Sequence, residues 1–397
     1  MEIRPNIFSC GVQDPQLRVF DIIMSTPHGT SYNAFIVKGE EKTALIEAVK
    51  SPFWDEYLGY VNAITPIEKA DYLVVNHTEP DHAGAIEKLL DVNPNITIVG
   101  TSIAIQFLDK IVNKPFQSKA VKAGDTLDLG GKTLTFYPMP NLHWPDTLFT
   151  FEESTRTLFS CDVFGAHYSY APLLYSTMKD RAPYQNAQHQ YFLDIMSPFI
   201  NPFVLNGTKK ARELNPSIIC TGHGPVLDVE IQETFDKYDE WSAQIKNEKP
   251  LITIAYVSAY GYTRELAETI QAELEKDAAV DVKMFEVTAE NSQDAAASIL
   301  QSDGFLMGTP TIVGDALRPI MDLLLSVLPV LVKGKVASAF GSYGWSGEGV
   351  PNVMARLAQL RVKTIEGLRV RFKPDGDELN QAKQFAQQFL QEVIKGK

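Results

Sequence analysis

The sequence predicts two domains of different class: an α+β part over 1–249 with two sheets covered by helices, and an α/β part over 250–397 built on a doubly wound parallel sheet. In the last third, β-rich runs at 251–257, 280–287, 304–308, 335–341 and 368–372 alternate with helical stretches at 263–276, 290–301, 316–328, 348–361 and 377–395, the pattern of crossover units. In the first part short β-branched and aromatic runs are divided by turns and helices, a mixed pattern. Between the two, a polar helical stretch over 230–249 ends in KNEKP, where composition shifts and Pro250 stops any helix. At roughly 100–200 residues per domain, a chain of 397 residues is too long for one ordinary core, and two is the simpler count.

Within the first part, the runs 32–37, 72–76, 96–100 and 133–137 read as strands, and 86–92 has helical spacing. Gly130-Gly131 fits a tight turn joining antiparallel strands. Apolar residues at 45% and charged residues at 21% suit a folded globular chain. Glu2 and Arg4 stand where an export leader needs an apolar stretch, and the longest apolar run, 323–332, is broken by Ser326 and Pro329. A cytoplasmic protein with no membrane span is expected. Cys10, Cys161 and Cys220 are widely spaced without a CxxC pair, which leaves no disulfide framework or zinc ribbon and makes small buried thiols the expected role. A net charge of −13 with no evident cationic cluster argues against nucleic acid and acidic membranes as partners.

In a doubly wound sheet the ligand lies at the carboxyl ends of the strands. The loop Ser258-Ala259-Tyr260-Gly261-Tyr262-Thr263 is rich in hydroxyls and lacks both the lysine of a triphosphate loop and the GxGxxG of a dinucleotide site. Its backbone N–H groups, the following helix N-terminus and the Ser258 and Thr263 hydroxyls suit a phosphomonoester. In the loops Gly308-Thr309-Pro310-Thr311-Ile312 and Gly341-Ser342-Tyr343-Gly344-Trp345-Ser346-Gly347, glycines allow close approach to a flat ring and Tyr343 and Trp345 offer faces to it. This set resembles flavodoxin over the whole of 251–397, which implies FMN, with 258–263 holding the phosphate and the other two loops the ring.

After the run 72–76 comes His77-Thr78-Glu79-Pro80-Asp81-His82, four metal-competent side chains in six residues. Extended backbone sends positions i, i+2 and i+4 to one side, so His77, Glu79 and Asp81 can converge, with a helix starting near Ala83 and His82 able to face a second metal. His143, Asp162 and His223 follow, near the ends of later strand-like runs. If Asp162 bridges, the remainder divides into two sets of two histidines and one carboxylate, a donor set favoured by non-haem iron(II).

The order HxExDH, His, Asp, His resembles the metallo-β-lactamase fold, an αββα sandwich, with Glu79 where the hydrolases of that fold carry histidine. Joined to a flavodoxin-like third, it resembles the flavodiiron proteins, which reduce dioxygen to water or nitric oxide to nitrous oxide. The resemblance implies two iron ions per chain, with His77, Glu79 and His143 on one, Asp81, His82 and His223 on the other, and Asp162 between them. It also implies a head-to-tail homodimer, which in this family can pair again as a dimer of dimers, and an external donor such as rubredoxin. His28 and His167 resemble second-sphere positions able to give a proton or hydrogen bond to the bound gas. His189 reads as a helix-surface residue, and Tyr191 or Phe192 as pocket wall or core. Two other readings stand beside this one: a zinc hydrolase with a flavodoxin-like tether, and an electron carrier with a vestigial metal domain.

Overall fold

Alternating apolar residues send each strand of the first part to two cores, and the result is a four-layer sandwich. In the computed structural model, which describes residues 1–396 apart from 22–23 and 245–247, the chain divides into two compact units, Met1–Ala243 and Gln244–Lys397. The 230–249 stretch forms the helix Ile231–Gln244, and its expected continuation over 245–247 lies outside the described residues.

The first unit has a seven-stranded sheet in the order Glu2–Arg4, Ile7–Ser9, Phe35–Lys38, Thr43–Ile46, Tyr72–Val74, Thr97–Gly100, Gln117–Ala120. A five-stranded sheet follows chain order through Thr126–Asp128, Thr133–Pro138, Leu148–Glu152, Thr157–Cys161 and Ile218–Thr221. Between the sheets lie Phe35, Val37, Ile46, Val74 and Val99 from one and Leu134, Phe136, Leu148, Phe159 and Ile218 from the other. Their neighbours in sequence face outward. Ile36, Leu45, Leu73 and Ile98 pack under Tyr57, Ile86, Leu89 and Leu108 of the first helical layer. Phe149, Leu158 and Ile219 pack under Tyr184, Ala211, Phe235 and Tyr238 of the second. At about 1.5–3 kcal/mol per fully buried large apolar side chain, a one-residue slip of any central strand would cost several such terms at once.

The Gly130-Gly131 turn is present, both residues at positive φ (80° and 74°), joining antiparallel strands paired Asp128 to Thr133. The expected strand 32–37 is instead two, Thr30–Tyr32 and Phe35–Lys38. The break at Asn33 has a cause: its amide donates to Thr221 O at 2.9 Å and Gly224 O at 2.8 Å, tying it to the loop that carries His223. The three cysteines are free and buried, and burial pushes the thiols of Cys10 and Cys220 up. No helix among the described residues is long and apolar enough to cross a membrane.

The second unit is a parallel sheet ordered Asp281–Glu286, Leu251–Tyr256, Gly304–Gly308, Val336–Tyr343, with an edge formed by Lys363–Thr364 and Leu368–Arg371, both paired to Val336–Tyr343. The helices Tyr262–Leu274, Ser292–Gln301, Arg318–Ser326, Gly349–Gln359 and Gly376–Lys395 lie within three residues of their expected bounds. One of the two cores joins Leu266, Ile270, Phe385 and Phe389 to Ile252, Ile254 and Phe340, and the other joins Ile320, Leu324, Val353 and Leu357 to Ala255, Phe305 and Ala337. One expectation fails here: the chain does carry a cationic cluster, Arg361, Lys363, Arg369, Arg371 and Lys373, all exposed along that edge. Spread over thirteen positions, these residues make no dense run in the sequence, and only the strand pairing aligns them.

Candidate metal centre and flavin loops

The strands of the sandwich deliver their polar ends to one rim. Tyr72–Val74 leads to His77, Thr157–Cys161 to Asp162 and Ile218–Thr221 to His223, while His143 stands just before Leu148–Glu152, antiparallel to its neighbour. His77, Glu79, His143 and Asp162 offer donor atoms all within 4.8 Å of one another, and so do Asp81, His82 and His223.

The two oxygens of Asp162 face different sets. Oδ2 lies 3.2 Å from His143 Nε2 and 3.5 Å from His77 Nε2. Oδ1 lies 3.0 Å from His82 Nε2 and 3.4 Å from His223 Nε2. Glu79 Oε2 is 3.2 Å from His77 Nε2 and 3.3 Å from His143 Nε2, and Asp81 Oδ2 is 3.1 Å from His223 Nε2 and 3.4 Å from His82 Nε2. Donors bound to one ion at ~2.0–2.2 Å stand roughly 3.0–3.5 Å apart, the spacing found in both sets. Both Asp81 oxygens are buried yet have no hydrogen-bond donor, an arrangement that is costly without a cation. The residues present therefore fit a pair of metal ions.

Asp81 does not join His77 and Glu79 as the extended-chain expectation had it. The helix starts at Pro80, three residues earlier than expected, as Pro80–Ala83, and carries Asp81 round to His82 and His223. Second contacts orient the rings: His223 Nδ1 donates to Ser31 O at 2.6 Å, and Asp146 Oδ2, 3.4 Å from His77 Nδ1, accepts from Thr78 N and Thr78 Oγ1. Without metal, burial disfavours the charged rings, but the neighbouring carboxylates outweigh it: His77 and His143 are raised and His82 reaches about 10. Burial likewise opposes the Asp162 anion, and His82 and its fellow histidines hold it well below the usual carboxylate range.

His167 is buried beside this cluster, its ring stacked on Phe20 at 4.2 Å and edge-on to Tyr191 at 4.9 Å. Its Nδ1 is 3.0 Å from Thr30 Oγ1 and its Nε2 has no partner. Burial and the nearby His223 depress it to about 3, so it is neutral. His28 is exposed, tilted against Tyr168, and with His167, Tyr191, Asp180 and Asp194 it lines a cavity of about 470 Å³. His189 stacks on Trp241 away from both metal sets, and Phe192 is buried against Tyr238. Asp146, Thr30, Phe20 and the buried Glu47, whose Oε1 accepts from Asn76 N at 3.0 Å, were not singled out in the sequence. They lie on separate strands and loops, so no local spacing marks them.

In the second unit the three loops follow adjacent strands. Ser258 Oγ accepts from Gly261 N at 3.1 Å and Arg264 N at 3.3 Å, shaping the turn into Tyr262–Leu274. Gly261 has φ 86° and open space where a Cβ would stand. Thr263 Oγ1 lies 3.0 Å from Ser342 Oγ, joining the first loop to the third, and Thr311 Oγ1 accepts from Gly349 N at 3.0 Å. Thr309 and Pro310 are buried, Thr311, Ile312, Tyr343 and Gly344 partly so, and Ala259 and Ser346 exposed. Tyr260 at 80% and Trp345 at 93% exposure are aromatic faces without a cover, while Gly347 packs so closely that a Cβ would meet the Tyr343 ring at 2.9 Å. The helix N-terminus at Tyr262 with uncovered rings fits a phosphate-bearing flat heterocycle.

Comparison with known proteins agrees with this division. Residues 30–224 match the ODP family of β-lactamases and residues 254–385 match flavodoxin. The flavo-diiron protein FprA2 of Clostridium acetobutylicum is 39% identical over 99% of both chains, and the type A flavoprotein fprA of Rhodobacter capsulatus is 35% identical over 96% of this chain and 89% of that one. Among solved structures, rubredoxin oxygen:oxidoreductase from Desulfovibrio gigas superposes with a TM-score of 0.75 at 26% identity, covering 100% of this chain and 99% of that one. The flavodiiron protein from Giardia intestinalis gives 0.72 at 26% identity, covering 100% and 98%. A metallo-β-lactamase-like sandwich with a paired His/carboxylate cluster, joined to a flavodoxin-like sheet, defines an oxidoreductase that carries its own flavin module. The chain belongs to the flavodiiron proteins.

Proposed function

We propose that this chain reduces dioxygen to water, nitric oxide to nitrous oxide, or both, with electrons taken from rubredoxin or a similar carrier through FMN to a di-iron centre. His77, Glu79 and His143 would hold one iron and Asp81, His82 and His223 the other, with Asp162 offering one oxygen to each set. FMN would rest in the loops 258–263, 309–312 and 342–347. The flavin supplies one-electron steps from a two-electron store, and the iron pair supplies open positions for a diatomic gas. In the family's head-to-tail dimer, the flavin of one chain serves the metal centre of its partner.

The protein's own part is geometry, dryness and protons. Ser31 and Asp146 fix the planes of His223 and His77. Phe20 and Tyr191 keep bulk water from His167, whose neutral ring presents Nε2 as a hydrogen-bonding group beside the cluster. His28, exposed in the adjoining cavity, can bring protons from solvent toward it.

The observation that carries this reading is the Asp162 carboxylate, with one oxygen facing each donor set. The test is anaerobic purification followed by metal and flavin analysis and gas-consumption assays. About two irons and one FMN per chain, with donor-dependent loss of dioxygen or nitric oxide, are expected. Flavin-independent ester or thioester cleavage by a zinc-loaded protein would refute the reading.

A further inference from the structure

We propose that the edge strand of the flavodoxin-like unit is the docking face for an acidic electron-carrier protein; this rests on the reading above that the unit holds FMN and is reduced from outside. Arg361, Lys363, Arg369, Arg371 and Lys373 are exposed along this edge, and none has an ion-pair partner among the described residues. Elsewhere in the unit Arg264 pairs with Glu286, Lys276 with Glu273, Arg318 with Asp322 and Lys395 with Glu392. Glu366 alone interrupts the cations, and Asp375, Asp377 and Glu378 follow them, Asp375 and Glu378 being tied into a capping box.

The strand delivers this charge to the flavin loops. Val370 is buried, so Arg369 and Arg371 share the opposite, open face. Arg371 sits in register with Tyr343, Phe372 N donates to Tyr343 O at 2.8 Å, and the Phe372 ring closes on Gly344, where a Cβ would stand 2.9 Å from it. The stripe thus ends at the loop carrying the exposed Trp345. Charge on an edge strand also blocks edge-to-edge pairing, but one or two charges of either sign suffice for that. Five unpaired cations of one sign, on a chain whose net charge is −13, instead make a local field that attracts a compact acidic protein and leaves the rest of the surface to repel it. Electron-transfer encounters are small and charge-steered, and an exposed aromatic rimmed by cations suits one.

The test is stopped-flow reduction of the FMN-loaded full-length protein by reduced rubredoxin, used as the acidic carrier, at low and high salt. The double charge reversal R369E/R371E should lower the second-order rate constant at low salt by about ten-fold or more and flatten its salt dependence. The reversal K249E/K283E makes the same change in net charge at the opposite edge of the sheet, beside Asp281–Glu286, and should leave the rate near wild type. Methyl viologen radical, a small cation, should reduce the flavin of all three proteins at undiminished rates. Equal carrier rates in R369E/R371E and wild type would overturn the proposal, and so would an equal loss in K249E/K283E. A chain that takes up no FMN gives no flavin signal even with methyl viologen, and that outcome fails the functional reading, not this surface.

Discussion

Gly222 offers a way to disturb one half of the metal centre without touching a ligand. It lies between Thr221 and His223, and a Cβ built on it would stand 2.7 Å from His82 Cε1 and 3.1 Å from Asp162 Oδ1. Its φ is outside the left-handed region, so Gly222→Ala introduces a contact problem and no backbone strain. Carbon atoms rest at ~3.5–4.0 Å, so the His82 ring must retreat by about 0.8 Å. Metal–nitrogen bonds hold within ~0.2 Å, so that retreat removes His82 from the Asp81, His82 and His223 set. The overpacking itself costs about 1–3 kcal/mol, and loss of a donor should weaken the second ion on the order of 100-fold, or ~2.7 kcal/mol. Anaerobic metal titration with flavin quantitation reads this directly: one ion bound as in wild type, the other weakened, FMN unchanged. Gly59→Ala, in the helix Trp54–Asn62 with nothing near its Cβ, serves as a control and should stabilise by about 0.5–1 kcal/mol. Two ions bound by Gly222→Ala with wild-type affinity would refute the placement of His82 in the centre.

Three further outcomes follow from the same geometry. Asp162→Ala removes the carboxylate shared by both sets and should abolish gas consumption while leaving reduction of FMN by the donor intact; a pure electron carrier would be indifferent to it. Because His77, His82 and His143 are raised in the metal-free protein, loading should expel protons and affinity should fall as pH falls; calorimetry in buffers of different ionisation enthalpy measures the number, and buffer-independent heats would contradict it. Burial raises the Glu47 carboxyl from 4.5 to about 7, so in chelated protein the native state keeps a proton the unfolded chain has lost. Its contribution is fully present below about pH 4.5 and fades as pH rises to about 7, by on the order of 3 kcal/mol, and Glu47→Gln should flatten that slope in urea unfolding.

Much of this was legible in the sequence, for physical reasons that differ by region. The central strands of the second unit, Leu251–Tyr256, Gly304–Gly308 and Val336–Tyr343, are buried on both faces, so they are near-continuous apolar runs, and the helices carry plain amphipathic stripes; their bounds moved little. The metal cluster was visible because its donors are rare residue types placed at strand ends. What local reasoning could not supply was how the cluster divides. That depends on the backbone turning helical at Pro80, which an extended-chain reading of Glu79-Pro80 sends the wrong way for Asp81. The break at Asn33, the supports from Ser31 and Asp146 and the buried Glu47 arise from contacts across dozens to nearly two hundred residues, where no spacing rule reaches. The cationic edge was missed because period-two spacing dilutes it in the sequence, and only a strand brings it into line.

The most direct test of the account is anomalous diffraction at the iron edge from anaerobically loaded crystals. Two peaks per chain, about 3.5–4 Å apart with the Asp162 carboxylate between them and Glu79 and Asp81 on opposite sides, are expected. A single peak, or two ions lying on the same side of Asp162, would contradict it.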